Sequence, residues 1–188
     1  PYLHALSLHD AAVDTAKASR RWEEELGFRP DYYVYPYGEY SLAVRDMIKK
    51  QGFKAAFGQQ SSVAYPGMDF FQIPRFSLNE NYGDLDRFKL IANALPLPVR
   101  DVLPEDPYLL QNPPYVGFTL DSSVPDPGNL NCFVSRLGKV DLLKPMDNRY
   151  EIRFDQPWPT GRTRLNCTLP AKGGRWYWWG VQLLIPEK

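Results

Sequence analysis

Two hydrophobic rhythms divide the chain. Between residues 8 and 26, Leu8, Ala11, Ala12, Ala16, Trp22 and Leu26 recur at helical spacing. Ser7, with Asp10 three residues on, forms a capping-box pattern, and Gly27 offers a left-handed stop, so a helix over 8–26 is predicted. Tyr32-Tyr33-Val34-Tyr35, ended by Pro36, reads as a buried strand. A second helix is predicted over 39–51, with Leu42, Val44, Met47 and Ile48 apolar and Gly52 as the stop. Residues 53–57 and 70–73 are predicted strands, and 84–95 a third helix. Alternating strands and helices with short connections predict a parallel sheet with covering helices. Chemistry on such sheets gathers at the carboxyl ends of strands, which directs attention to Pro36-Tyr37-Gly38 and Pro74-Arg75.

From residue 115 the period shortens to two. Residues 115–120, 131–135, 150–154, 162–167 and 176–179 read as strands, and 181–185 extends the last. Asp-Pro-Gly, Pro-Thr-Gly and Lys-Gly-Gly turns separate them, so a small antiparallel β-sandwich is predicted. Proline marks the change: residues 1–94 hold five of the 18 prolines and residues 95–188 hold thirteen, a density that excludes long helices. The fold class is therefore α/β plus all-β. The expected divisions are an α/β unit over 1–95, a proline-rich connector over 96–114 and the sandwich over 115–188.

The 22 basic and 22 acidic residues leave a formal net charge of zero. That argues against nucleic acid or an anionic membrane as the main partner. No apolar run is long enough for a transmembrane helix. The chain starts at Pro1 with neither an initiator Met nor a signal peptide, so a longer parent protein is expected. Cys132 and Cys167 both fall in predicted strands. A disulfide between them is the favoured reading, and two buried thiols are the alternative. A disulfide would imply an oxidising location: periplasmic, cell-surface or secreted.

Candidate chemistry is sparse. The two histidines, His4 and His9, read as surface or helix-start residues, and no nucleophile elbow, Walker loop or zinc-ligand spacing occurs. Trp158, Trp176, Tyr177, Trp178 and Trp179 offer faces for stacking on sugar rings. Strand alternation sends Trp176 and Trp178 to one face and Tyr177 and Trp179 to the other, so one pair must be core.

A family resemblance adds to this reading. Tyr35-Pro36-Tyr37-Gly38-Glu39-Tyr40 resembles the third motif of the polysaccharide deacetylases, the NodB-homology carbohydrate esterases. Pro1-Tyr2-Leu3, Leu6-Ser7 and Leu26-Gly27 follow in the family's order, and residues 53–58 with Ile73-Pro74-Arg75-Phe76 resemble the later strand and arginine motif of its poly-N-acetylglucosamine deacetylase branch. The resemblance covers roughly residues 1–95. It implies the carboxyl-terminal half of a distorted (β/α) barrel and metal-dependent removal of N-acetyl groups from an N-acetylglucosamine polysaccharide. A divalent metal, zinc in many members, would be held by an Asp and two His upstream of Pro1 and not by this chain alone. The Tyr37 amide would hold the oxyanion, and Arg75 would orient the catalytic carboxylate. Tyr35, Pro36 and Gly38 would shape the substrate-binding turn.

The sequence departs from the family where Val34 stands two residues before the motif's proline, a place many members give to Arg, and where no His follows His9. The implied partners are the polysaccharide and either the missing half of the catalytic domain or a second copy. The competing readings are a carbohydrate-binding module without catalysis and an interaction protein of a cell envelope.

Overall fold

The computed structural model describes residue 3 and residues 6–186. Readings that rest on Pro1, Tyr2 and His4 lie outside the described residues. The order is α1 (Leu8–Leu26), β1 (Tyr32–Val34), α2 (Leu42–Lys50), β2 (Ala55–Phe57), α3 (Leu85–Ala92), β3 (Leu95–Pro96), β4 (Val99–Leu103), β5 (Val116–Leu120), β6 (Asn131–Val134), β7 (Gly138–Val140), β8 (Leu143–Met146), β9 (Arg149–Ile152), β10 (Gly161–Pro170) and β11 (Trp176–Ile185).

Local chemistry sets the helix ends. Ser7 Oγ accepts from the Asp10 amide at 3.0 Å, and its hydroxyl donates to the Asp10 carboxylate at 2.7 Å. Gly27, at φ 77°, closes α1 by donating to the Glu23 carbonyl. Ser41 and Asp84 cap α2 and α3 in the same way. The buried face of α1 matches the predicted one only in part: Ala11 is buried and Ala12 and Ala16 are half-buried as expected, but Thr15 and Ser19 complete the face, while Leu8, Trp22 and Leu26 stand about half exposed. Thr15 and Ser19 satisfy their hydroxyls on carbonyls one turn back, at 2.8 and 3.0 Å, and their small size lets α2 approach. Gln51 Nε2 locks the two helices together by donating to the Ala12 carbonyl at 2.9 Å.

β1 and β2 pair in parallel, Tyr32 with Ala55 through Val34 with Phe57. The predicted strand 70–73 joins them only at its ends: the Phe70 carbonyl accepts the Ala56 amide at 2.9 Å, and Ile73 forms a single parallel bridge to Phe57. Asp69 accounts for the difference. Its carboxylate accepts the Phe71 amide at 2.8 Å and its carbonyl accepts the Gln72 amide at 2.9 Å, which turns the chain. The core here centres on Tyr35, stacked on Tyr40 at 4.5 Å, with Ile48 and Ala56 fully buried. The unit is mixed α/β, and among the described residues no sheet closes into a barrel.

The second half holds two sheets, ordered β3-β11-β10-β6-β7 and β4-β5-β9-β8. All pairs are antiparallel except β3 with β11. The sheets share one core in a sandwich-like arrangement: Phe118 of β5 meets Trp179 of β11 at 4.8 Å and Tyr150 of β9 at 5.8 Å. The proline-rich stretch supplies β3 and β4, both at sheet edges, where a missing amide donor is tolerated. Residues 107–109 bond to Leu184 on both its backbone groups. No helix is long and apolar enough to cross a membrane among the described residues.

Cys132 and Cys167 are opposite each other on β6 and β10, fully buried, and joined as a disulfide. The pairing favoured from sequence is thus present. With a sequence separation of 35, the chain-entropy estimate for such a loop is about 4 kcal/mol at room temperature. We expect replacing both cysteines with alanine to lower unfolding stability by ~2–4 kcal/mol, read as a fall in the urea midpoint, with the same shift on reducing the native chain.

Candidate functional site

The sequence-predicted site residues occupy one turn and one neighbouring segment. Tyr35 is fully buried, and its hydroxyl donates to the Phe71 carbonyl at 3.0 Å, so it is a core residue. Pro36 opens a short 3₁₀ turn over Pro36–Gly38. Tyr37 sits at φ 58°, ψ 9°, a left-handed conformation that is unusual for a side chain of its size. Its carbonyl accepts from Gln182 Nε2 at 3.0 Å, and the Arg162 guanidinium lies over its half-exposed ring at 5.3 Å. Gly38 also has positive φ, and a Cβ there would overlap Gln59. Arg75 reaches the turn through Gln59–Gln60: its amide donates to the Gln60 carbonyl at 3.1 Å. Its Nε is buried without a hydrogen bond, and it makes no ion pair among the described residues.

A different site lies between the α/β unit and the sandwich. It is a cleft of about 830 Å³, lined by Tyr40, Gln60, Tyr65, Met68, Asp69 and Gln72 on one side. The far side is β4 with the turn after it, Thr119, Arg149 and Glu151 of the four-stranded sheet, and Trp179 to Val181 of β11. On the near wall, Asp69 accepts from Gln72 Nε2 at 3.2 Å and from Arg45 at 3.1 Å. The Tyr40 hydroxyl donates to Gln72 Oε1 at 3.3 Å, and burial raises its pKa well above that of an ordinary tyrosine. Gln60 Nε2 donates to the Gln72 carbonyl at 2.9 Å, which leaves Gln60 Oε1 buried and unpaired.

The far wall is a charged strip. Arg149 Nη1 donates to the Asp101 carbonyl at 2.7 Å, and its Nε lies 4.0 Å from Glu151. Asp101 has φ 52° and sits where the β4–β5 register slips, so a bulge shapes this wall. Hydrogen bonds from Tyr115 and Arg153, and the nearby Arg149 charge, hold the Glu151 carboxyl below the usual range. The wall thus presents a fixed carboxylate and a fixed guanidinium. Sequence reading did not single out Tyr65, Asp69, Gln72, Arg149 or Glu151. Arg149-Tyr150-Glu151 carried the one usable signal, two opposite charges on the same face of a strand.

Of the tryptophans proposed for stacking, Trp179 belongs to the sandwich core and Trp158 is buried. Trp178 is on the outer face, covered by Phe76 at 5.2 Å and bonded through Nε1 to Asn166 at 3.3 Å. Among the described residues no cluster of three or more His, Cys, Asp or Glu side chains is placed to hold a metal ion.

No family model matches the chain, and no curated protein matches it. Among solved structures, the endo-beta-1,4-mannanase from Thermotoga petrophila is similar at a TM-score of 0.36 and 16% identity, covering 97% of this chain and 45% of that one. The chain therefore spans less than half the length of that structure, and a likeness this distant carries no argument about function. The absence of any matching family model or curated protein corrects the expectation of a polysaccharide deacetylase: the resemblance at Tyr35–Tyr40 is supported by no family match. Short motifs of aromatic, proline and glycine residues also arise from turn chemistry, which is what Tyr35–Gly38 supplies here. The roles given to the Tyr37 amide and Arg75, and the upstream metal, rested on that resemblance.

Two outcomes test the turn and the charged wall. Gly38→Ala places a side chain on Gln59 in a left-handed backbone, and we expect a loss of ~1–3 kcal/mol in thermal unfolding. Glu151 has a folded pKa below its unfolded value, so its contribution is complete above the ordinary carboxylate pKa of about 4.3 and is lost as pH falls through the depressed value. Stability should fall with acid over that window, and Glu151→Gln should flatten the slope of the urea midpoint against pH.

Proposed function

We propose that the chain is a binding module that takes a neutral oligosaccharide in the cleft between its two units. The cleft's lining carries this reading. A sugar ring presents apolar CH faces edged by hydroxyls, and its complement is an apolar or aromatic surface beside planar hydrogen-bonding groups. Tyr65, Met68 and Val181 supply the first, and Gln60, Gln72, Asp69, Arg149 and Glu151 the second. The cleft's size falls in the range of small-ligand sites, and its polar groups are largely fixed by one another before a ligand arrives. The balanced net charge agrees with an uncharged ligand. His9, the only histidine among the described residues, is on the exposed face of α1 and takes no part in the cleft. The disulfide agrees with a location outside the reducing cytosol.

Titration calorimetry with a panel of neutral hexasaccharides (cello-, xylo- and mannohexaose) tests the reading. At least one should bind at a single saturable site. Tyr65→Ala and Gln72→Ala should each weaken it about tenfold or more, while Phe133→Ala on the exposed face of β6 should not. Absence of binding across the panel, or affinity unchanged in both cleft variants, would falsify the reading.

A further inference from the structure

Two guanidinium groups share the outer face of β10. Arg162 and Arg164 are two residues apart on one strand, and the residues flanking Arg164, Thr163 and Leu165, point into the core. Their Cα atoms are therefore about 7 Å apart. Arg162 Nε pairs with the buried Glu39 carboxylate at 3.2 Å. Arg164 makes no ion pair among the described residues, and its terminal nitrogens meet no acceptor there. Arg45, Arg100, Arg149 and Arg153 all have carboxylate partners. Arg164 is partly buried, and desolvation together with the Arg162 charge pushes its pKa below the ordinary arginine value. A guanidinium withdrawn from water beside a second one, with no countercharge, is destabilising unless something supplies the charge.

The pair is also held in place. Gln182, 5% exposed, accepts from Arg164 Nε at 3.2 Å and donates to the Tyr37 carbonyl at 3.0 Å. One buried amide thus fixes Arg164 and the strained turn together. The Tyr37 ring flanks Arg162 at 5.3 Å, and Tyr82 is near enough to Arg164 to act on its charge. Arginines held in this way meet a ligand without first losing side-chain freedom.

We propose that Arg162 and Arg164 form a binding site for a carboxylate group on a small ligand. The planar fork of a guanidinium matches the two oxygens of a carboxylate, and Nε of Arg164 is already committed to Gln182, so its terminal nitrogens are the ones that engage. The anion supplies the countercharge that Arg164 lacks, since Arg162 already has Glu39. None of Arg162, Arg164, Gln182, Tyr37 and Tyr82 lines the cleft, so the site stands independently of the oligosaccharide reading.

Titrating the full chain with sodium glucuronate, sodium acetate, inorganic phosphate and glucose, followed by the arginine Nε–H signals in nitrogen-15 NMR, tests the proposal. Both carboxylates should shift the Arg164 signal saturably, and glucose should not. Tighter glucuronate than acetate assigns a sugar acid as the source, and equal affinities assign any small carboxylate. Arg164→Gln should weaken binding at least tenfold, and Arg164→Lys, which keeps the charge and loses the fork, nearly as much. If Arg164→Gln does not fold, as judged by circular dichroism, Arg162→Gln takes its place with the same expected loss. No saturable shift in the native chain, tighter phosphate than carboxylate, or unchanged affinity in the folded variants would overturn it.

Discussion

The arrangement of the two units depends on a side chain that is absent. Gly180, in the middle of β11, puts its bare Cα against the Ser61 carbonyl, and a Cβ there would overlap that oxygen and the Asn166 amide. Only glycine allows this approach of loop to sheet. Around the contact, Phe76 covers Trp178, Glu39 pairs with Arg162, and the Tyr65 hydroxyl donates to the Val99 carbonyl at 3.1 Å. The opposite face of β11 gives Trp179 and Leu183 to the sandwich core. One strand therefore joins the core of one unit to the surface of the other, and the cleft is the space left beside that junction.

Two strained residues flank the junction, and both are held in the same way. Tyr37 and Asp101 are non-glycine residues with positive φ, at 58° and 52°. Each costs on the order of 1–3 kcal/mol, and the surroundings must hold it. In both cases a polar side chain from a distant strand grips the strained residue's carbonyl: Gln182 Nε2 for Tyr37 and Arg149 Nη1 for Asp101. The second strained point lies in the cleft wall, and the first lies against the arginine pair. Strain and its restraint thus coincide with both sites.

Elements with local determinants were legible in the sequence. Ser7, Ser41 and Asp84 announce helix starts because a capping hydrogen bond spans three residues. The long strands β10 and β11 and the Cys132–Cys167 pairing were legible from period-two alternation. β7 and β8 were not, because both are short and largely exposed and lack an apolar face. The buried face of α1 was legible at Ala11 but misread at Leu8 and Trp22, because packing there favours the small hydroxyl residues Thr15 and Ser19. The cleft was not legible for a more general reason. Tyr65 and Gln72 are far from Arg149 in sequence, and the contacts that place them reach other elements: Tyr65 to Val99, Gln72 to Tyr40 and Arg149 to Asp101. Pattern does not record such pairings. Motif similarity at Tyr35–Gly38 filled that gap with a chemistry that no family match supports.

Units of this size joined in one chain ordinarily move against each other, which would leave a cleft between them ill-defined. Here the slack is removed. Only Asn93 and Ala94 separate α3 from β3, and β3 and β4 are already sheet strands. Further along, the Asp106 carboxylate accepts the Leu42 amide at 3.3 Å, which ties the segment after β4 to the start of α2. Arg175 donates to the Asn93 carbonyl at 2.8 Å and pins the crossing itself. The prolines that exclude helix from this stretch also stiffen it, and edge positions let them do so without losing ladder bonds. A ligand entering the cleft therefore meets walls whose separation is set in advance, and its affinity is not reduced by the cost of closing them.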